Sequence, residues 1–312
     1  MKDTIVIALG GNAIIREGQR GTIEQQYENI EESCGYIADL VEEDYNIIIT
    51  HGNGPQIGNL LLQNEAAKDI VPTAPLDVCV AETQGQLGFM IKKSLINTLR
   101  KRNIEKSVLC LLTQIVVDEK DPAFQNPTKP IGPFYTKEEA EELARTKGYE
   151  IVEDSGRGYR RVVASPMPTD IIEKATIKQL AEEGHVVIAL GGGGISVTEE
   201  SGILRGIEAV VDKDHASGLL ANLIGAQHLV ILTGVPNVAY NFGKPDQEFL
   251  ATLTIEQAKK YAQEGQYPAG SMGPKIGAAI DYVENGGGKM IITSMDLLKD
   301  AMDGKAGTLI TK

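Results

Sequence analysis

Apolar positions along the chain follow two alternating rhythms. Thr4-Ile-Val-Ile-Ala-Leu9 is an unbroken apolar run with β-branched residues, the pattern of a strand covered on both faces. Ile23, Tyr27, Ile30, Cys34, Ile37 and Val41 then recur at steps of four and three, and Thr22 with Gln25 supplies a capping box, so this stretch reads as an amphipathic helix. Further strands are expected at 46–50, about 107–117, 185–190, 228–232, 289–293 and 307–311. Helices are expected in 55–67, 82–102, 170–183, 215–225, 255–264 and 275–285, with Thr254 and Gln257 opening the second-last. Such β-α-β alternation predicts a mostly parallel sheet between two layers of helices.

Three of the strands end in glycine: Leu9-Gly-Gly-Asn12, Thr50-His-Gly-Asn-Gly54 and Leu190-Gly-Gly-Gly-Gly194. Glycine turns leading into helices expose backbone N–H groups to an anion, and ligands of parallel sheets bind at these carboxyl ends. Three such turns predict a site crowded with phosphate oxygens. Residues 119–164 break the rhythm. Pro122, Pro127, Pro130 and Pro133 stiffen the chain, Thr136-Lys-Glu-Glu139 caps a short charged helix, and Gly156-Arg-Gly-Tyr-Arg-Arg161 follows. This reads as an inserted subdomain rather than a linker. No internal repeat or low-complexity tract is present.

Composition narrows the function classes. The 312 residues, 42% apolar and 23% charged, suit one large or two medium globular domains. A net charge of −13 argues against a general binder of nucleic acid or anionic membranes. No charged leader with an apolar core opens the sequence, and no apolar stretch approaches a membrane span, so a cytoplasmic protein is expected. Cys34, Cys79 and Cys110 lack metal or redox spacing and read as buried thiols in a reducing compartment. The four histidines, His51, His185, His215 and His228, are scattered. The chain has no GxxxxGK[ST], GxSxG or HExxH motif. Gly52-Asn-Gly54 with Gly58 is one residue too long for a dinucleotide fingerprint and carries a proline inside it, against an oxidoreductase.

Three lysines stand out. Lys129 lies between prolines in Asn126-Pro-Thr-Lys-Pro-Ile-Gly-Pro133, a rigidity that a solubilising lysine does not need. Lys213 lies in Val211-Asp-Lys-Asp214 just before an apolar helix, where Asp214 is either the helix cap or a partner for lysines. Lys275 opens a helix after Gly270-Ser-Met-Gly-Pro274, where the macrodipole disfavours a cation unless an anion compensates. With the glycine turns, these lysines point to phosphoryl transfer, in which a protein mainly positions reactants and neutralises charge. An acceptor that is already an anionic oxygen needs no general base.

Val6-Ile-Ala-Leu-Gly-Gly-Asn-Ala-Ile14, Thr50-His-Gly-Asn-Gly-Pro-Gln-Ile-Gly-Asn59, Asn126-Pro-Thr-Lys-Pro-Ile-Gly-Pro-Phe134, Gly156-Arg-Gly158, Gly191–Gly194, Asp212-Lys-Asp214, Leu232-Thr-Gly-Val235 and Gly270-Ser-Met-Gly-Pro-Lys275 together resemble the carbamate kinases, of the amino acid kinase family. The resemblance runs the length of the chain, and the Asn-Pro-Thr-Lys-Pro-Ile-Gly-Pro segment is its most specific part. It implies an α/β fold, a three-layer α/β/α sandwich around an open, mostly parallel sheet of about eight strands. The whole chain, 1–312, would be one such unit, with 119–164 as a protruding lid and a homodimer as the usual assembly.

Carried over by motif, Lys129, Lys213, Asp214 and Lys275 would be catalytic, with no protein ligand to a metal. Gly10, Gly11, Asn12, Gly52, Asn53 and Gly54 would hold the acceptor and the transferring phosphoryl group in the N-terminal half. Thr233, Gly234, Val235, Tyr240, Ala269, Gly270, Ser271 and Met272 would surround ATP or ADP in the C-terminal half. The implied reaction is Mg²⁺-dependent phosphoryl exchange between ATP and carbamate, suited to making ATP during arginine or citrulline breakdown. Another kinase of the fold, acting on acetylglutamate, glutamate, aspartate or UMP, and a non-catalytic nucleotide sensor are the alternatives.

Overall fold

Leu9 and its four predecessors are buried without alternation, which requires helices on both sides of the strand. The computed structural model, which describes residues 2–153, 158–268 and 270–312, shows them. In chain order its elements are β1 (Thr4–Leu9), α1 (Ile23–Glu42), β2 (Asn46–His51), α2 (Gly54–Ala67), α3 (Leu76–Lys101), β3 (Val108–Cys110) and β4 (Gln114–Val117). Then come β5 (Lys129–Tyr135), α4 (Lys137–Lys147), β6 (Ile151–Glu153), β7 (Tyr159–Val163), β8 (Pro168–Ile171), α5 (Lys174–Glu182) and β9 (Val186–Ile188). They are followed by β10 (Ile195–Glu200), β11 (Ile203–Gly206), α6 (Lys213–Ile224), β12 (His228–Thr233), β13 (Val238–Tyr240) and β14 (Glu248–Leu250). The chain closes with β15 (Thr252–Thr254), α7 (Ile255–Gln263), α8 (Met272–Glu284), β16 (Lys289–Ser294), α9 (Leu298–Met302) and β17 (Thr308–Thr311).

The central sheet has eight strands in the order β15-β17-β16-β12-β1-β2-β9-β3. The β16–β17 pair is antiparallel and the other pairings are parallel. Alternation along β1 divides the core. Val6 and Ala8 pack with residues of α5, α6, α7 and α8, while Ile5, Ile7 and Leu9 pack with α1, α3 and α9. Strand β1 has β2 on one side and β12 on the other, so the strand order reverses here and a crevice opens above its carboxyl end. All three expected capping boxes form, at Thr22/Gln25, Thr136/Glu139 and Thr254/Gln257. Among the described residues no helix is long and apolar enough to cross a membrane.

Several boundaries differ from expectation. The strand expected over 107–117 is two, β3 in the central sheet and β4 in a second sheet ordered β11-β10-β4-β8. The break falls at Thr113, whose N–H donates to the buried Gln84 side chain, while its C=O accepts from Gln84 Nε2 and from the Ile195 N–H of β10, which draws the chain into the second sheet. Residues 170–171, expected to be helical, end β8, because Ile171 is buried opposite Ile115 across the β4–β8 pair. Helix α3 starts at Leu76, directly after Pro75 at its N-cap, rather than at 82. Within 119–164, β5, β7 and β6 form a separate three-stranded sheet. Ile131 and Val163 of that sheet pack against Ile57, Leu76, Val80 and Val210. Gly156 and Arg157 of the Gly-Arg-Gly segment lie outside the described residues.

Candidate active site

The carboxyl ends of β1, β2 and β12 meet because glycine lets them. A Cβ on Gly10 would lie 2.4 Å from the Leu232 carbonyl oxygen, so only glycine allows β1 to end against β12. A Cβ on Gly234 would fall 2.4 Å from Asn12 Nδ2, which places the Gly10–Asn12 turn beside Thr233–Val235. Gly52 faces the Lys213 stem, whose Cδ lies 3.4 Å from the place a Cβ would take. Asn53 is buried over Gly192 and donates its Nδ2 to Thr83 Oγ1 at 2.9 Å. Gly54 begins α2 with Pro55 next to it, the favoured first-turn position for proline.

The third glycine turn has a different use. Gly191 and Gly192 make room for His51 and Asn53, and a Cβ on Gly193 would lie 2.1 Å from the Val211 carbonyl oxygen. Its glycines buttress the other loops. His51 is fully buried, and its Nδ1 donates to the Gly52 carbonyl at 2.9 Å. Burial pushes its pKa down to about 4 against the opposing pull of that bond, with nearby Lys213 adding to the fall. At neutral pH the ring is uncharged and holds the Gly52 turn.

The lysines converge. Helix α6 begins at Lys213 and α8 at Met272, so two helix N-termini open toward one point. There the Asp214 carboxylate accepts from Lys213 with Oδ1 and from Lys275, 3.0 Å away, with Oδ2. The three side chains are 13%, 13% and 3% exposed, Asp214 being the deepest. Burial pushes the Asp214 carboxyl up, but the two ammonium groups outweigh it and hold it below its ordinary value. Burial lowers the Lys213 ammonium despite Asp214 beside it. Ser217 ties this turn to the sheet by donating to the Lys213 carbonyl at 2.6 Å and bonding Thr50 Oγ1 at 2.7 Å.

The helix cap is Asp212 rather than Asp214, which frees Asp214 for the lysines. Asp212 Oδ1 accepts from the Asp214 N–H at 2.9 Å, and Oδ2 accepts from Lys129, on β5, at 2.9 Å. Burial would raise the Asp212 carboxyl, but Lys129, the Asp214 N–H and Lys213 bring it down to about 2. Three lysines against two aspartates leave one positive charge in excess, and the two helix dipoles add to it. The site is therefore built to receive a polyanion. Asp212 was not singled out by sequence reasoning, because its role depends on Lys129 arriving from another element.

On the side of β12, Thr233, Gly234, Val235, Ser271 and Met272 line a cleft of about 250 Å³. Asn237, Ala239, Phe242, Gln266, Tyr267 and Pro268 complete it, and sequence reasoning named none of them. Burial, with Tyr261 adding to it, raises the Tyr267 hydroxyl, which stays neutral. Tyr240 does not line this cleft: its ring packs on Tyr261 with centroids 4.8 Å apart. Gly270 lies in the turn before α8 and is outside the lining, and Ala269 is outside the described residues. Phe242 follows Tyr240 by two residues, so the aromatic pair Tyr-x-Phe was the signal available. Among the described residues no group of three His, Cys, Asp or Glu side chains is placed to hold a metal ion.

The geometry is that of an anion-receiving site at the carboxyl ends of a parallel sheet, and comparison with known proteins gives the class of enzyme. Residues 3–294 match the amino acid kinase family. The chain is 50% identical to the carbamate kinase of Thermococcus kodakarensis over 311 residues, 99% of each chain, and 47% identical to that of Clostridium perfringens over 312 residues, again 99% of each. The solved carbamate kinase of Giardia lamblia bound to AMP-PNP superposes with a TM-score of 0.94 at 41% identity, covering 100% of this chain and 99% of that one. The chain belongs to the amino acid kinase family. Within that family its full-length similarity is to carbamate kinases, and it is a phosphotransferase.

Proposed function

We propose that this protein interconverts ATP and carbamate with ADP and carbamoyl phosphate. The observation that carries the reading is Asp214 holding Lys213 and Lys275 at two helix N-termini, with Lys129 entering from the other side through Asp212. In this reading an anionic carbamate oxygen attacks the γ-phosphorus in line. The new O–P bond forms as the bond to the β,γ-bridging oxygen breaks, and that electron pair leaves on ADP. No proton has to be removed, which suits a site where His51, beside the Gly52 turn, is neutral and committed to a backbone carbonyl. Asp214 keeps Lys213 and Lys275 directed at the phosphates, and Lys129 neutralises the acceptor. Gly10–Asn12 and Gly52–Gly54 would enclose acceptor and phosphoryl group. The cleft beside Thr233–Val235 would take the nucleotide, and residues 119–164 would form the lid over the acceptor.

Mg²⁺ fits as a passenger on the nucleotide. It is usually held by phosphate oxygens and water with few carboxylates, and both site aspartates are already engaged by lysines and the α6 cap. When bound it would supply positive charge to offset the negative charge of the nucleotide's phosphates. Carbamoyl phosphate is a mixed anhydride with a higher transfer potential than ATP, which supports a role in ATP synthesis during arginine or citrulline breakdown. The free, largely buried cysteines are in keeping with a cytoplasmic protein. Exposed Val78 and Phe89 on α3 and Ile203 and Leu204 on β11 offer apolar surface for a homodimer.

The test is ATP formation from ADP and carbamoyl phosphate with Mg²⁺, wild type beside Lys129→Ala. Turnover that falls by about 10²–10³ in the variant supports both reaction and residue, the size usual for a lost electrostatic stabiliser. A folded protein that binds ADP but does not turn over carbamoyl phosphate would refute the reading and redirect it to larger acceptors or to nucleotide sensing.

A further inference from the structure

Residues 207–212 carry the chain from β11 to α6 and run beside the end of β7. Ala209 bridges Ala164 in parallel fashion, and the Val210 N–H donates to the Ala164 carbonyl at 3.0 Å. Every second side chain of this strap meets the protruding β5-β7-β6 sheet. Glu208 accepts from Arg161 of β7 at 2.7 Å, Val210 packs with Ile131 and Val163, and Asp212 accepts from Lys129 of β5. Val211, between them, belongs to the main core and sets its carbonyl against Gly193. The strap ends where α6 and the Lys213–Asp214 pair begin, so it is a direct connection between the protruding sheet and the catalytic helix.

Asp212 has more to do than a cap requires. A serine, threonine or asparagine caps a helix as well as aspartate does, with one oxygen. Here the second carboxylate oxygen is turned to an ammonium 83 positions away in the chain. Lys129 is the most exposed of the three lysines, at 35%, and without that anion its side chain is free to sample many rotamers. We propose that Asp212 is a positioning residue, whose charge holds Lys129 of the protruding sheet at the mouth of the acceptor site. The inference rests on the reading of Lys129 as the acceptor's cation. Ordering a lysine side chain in advance is worth about tenfold in rate or more.

A double-mutant cycle tests it, with ATP formation from carbamoyl phosphate and ADP as the assay. Asp212→Asn keeps the capping oxygen and removes the charge. It should lower kcat/KM for carbamoyl phosphate about tenfold, leave the KM for ADP unchanged, and melt close to wild type. Placed on Lys129→Ala, the same change should cost nothing further, and Asp212→Glu should restore part of the loss. Asp212→Ser, which also caps but cannot reach Lys129, serves if the asparagine variant folds poorly. An equal loss with and without Lys129 would make Asp212 a cap and a contributor to the general field, and would overturn the proposal. So would full activity in Asp212→Asn beside a disabled Lys129→Ala. A wild type that makes no ATP from carbamoyl phosphate, or a Lys129→Ala variant that turns over normally, would overturn the functional reading and this inference with it.

Discussion

Asp214→Asn is the most informative single change, because the amide keeps the shape of the carboxylate and loses only its charge. In the native site Asp214 is 3% exposed and bonds two ammonium groups, each 13% exposed. At an effective dielectric constant near 20, a charge pair about 4 Å apart is worth roughly 4 kcal/mol, so two attractions disappear. The desolvation of Asp214, several kcal/mol, disappears with them and offsets part of the loss. A net destabilisation of about 3–5 kcal/mol remains. It has a ceiling, since a stranded lysine can shed its proton at pH 7 for about 5 kcal/mol. Urea unfolding at pH 7 should show this deficit with an unchanged m-value. The pH dependence has a definite sign. Burial already lowers Lys213, and losing Asp214, which raises it, lowers it further. The folded variant then binds fewer protons than its unfolded chain in the alkaline range, so its stability rises with pH relative to wild type. The deficit should shrink between pH 7 and 10. A variant as stable as wild type at pH 7, or a deficit indifferent to pH, would refute the account of Asp214 as the clamp between two buried cations.

Other changes probe other parts of the argument. Lys275→Ala leaves the Asp214–Lys213 pair intact, so the protein should still fold while turnover falls on the order of 10²–10³; a near-normal kcat would remove Lys275 from the machinery. Gly193→Ala combines a φ of +92° with a Cβ 2.1 Å from the Val211 carbonyl oxygen and should cost about 2 kcal/mol or more in thermal or urea unfolding. Gly35→Ala, in α1 with open space around it, should instead stabilise by about 0.5–1 kcal/mol, so equal effects at the two sites would contradict the packing argument. His51 has a folded-state pKa of about 4, below its unfolded value of about 6.5. Its contribution is complete above that unfolded value and is lost as pH falls toward 4, up to about 3 kcal/mol, and His51→Gln should flatten unfolding free energy across this window.

The sequence by itself determined whatever depends on near neighbours. Apolar runs and their periods located β1, β2, β12 and β16, and the Thr22, Thr136 and Thr254 boxes marked three helix starts, because a capping hydroxyl meets a backbone N–H only three residues away. The lysines could be selected for the same reason: prolines around Lys129 and the dipole against Lys275 are local facts. Short strands were less legible. β4, β8 and the β10–β11 hairpin depend on one another for pairing, and Gln84, thirty residues before Gln114, decides where β3 stops. The cleft beside Thr233 was only partly legible, since Gln266 and Tyr267 reach Thr233 through folding and the Tyr240 ring packs on Tyr261. The clearest case is Asp212-Lys-Asp214. Sequence alone left open whether Asp214 caps the helix or partners the lysines, and did not consider Asp212 as the cap. Tertiary structure decided it by bringing Lys129 to the first aspartate and Lys275 to the second, 83 and 61 positions away in the chain. A carboxylate's role follows from which cation packing delivers to each oxygen, and that is settled only when β5, α6 and α8 meet.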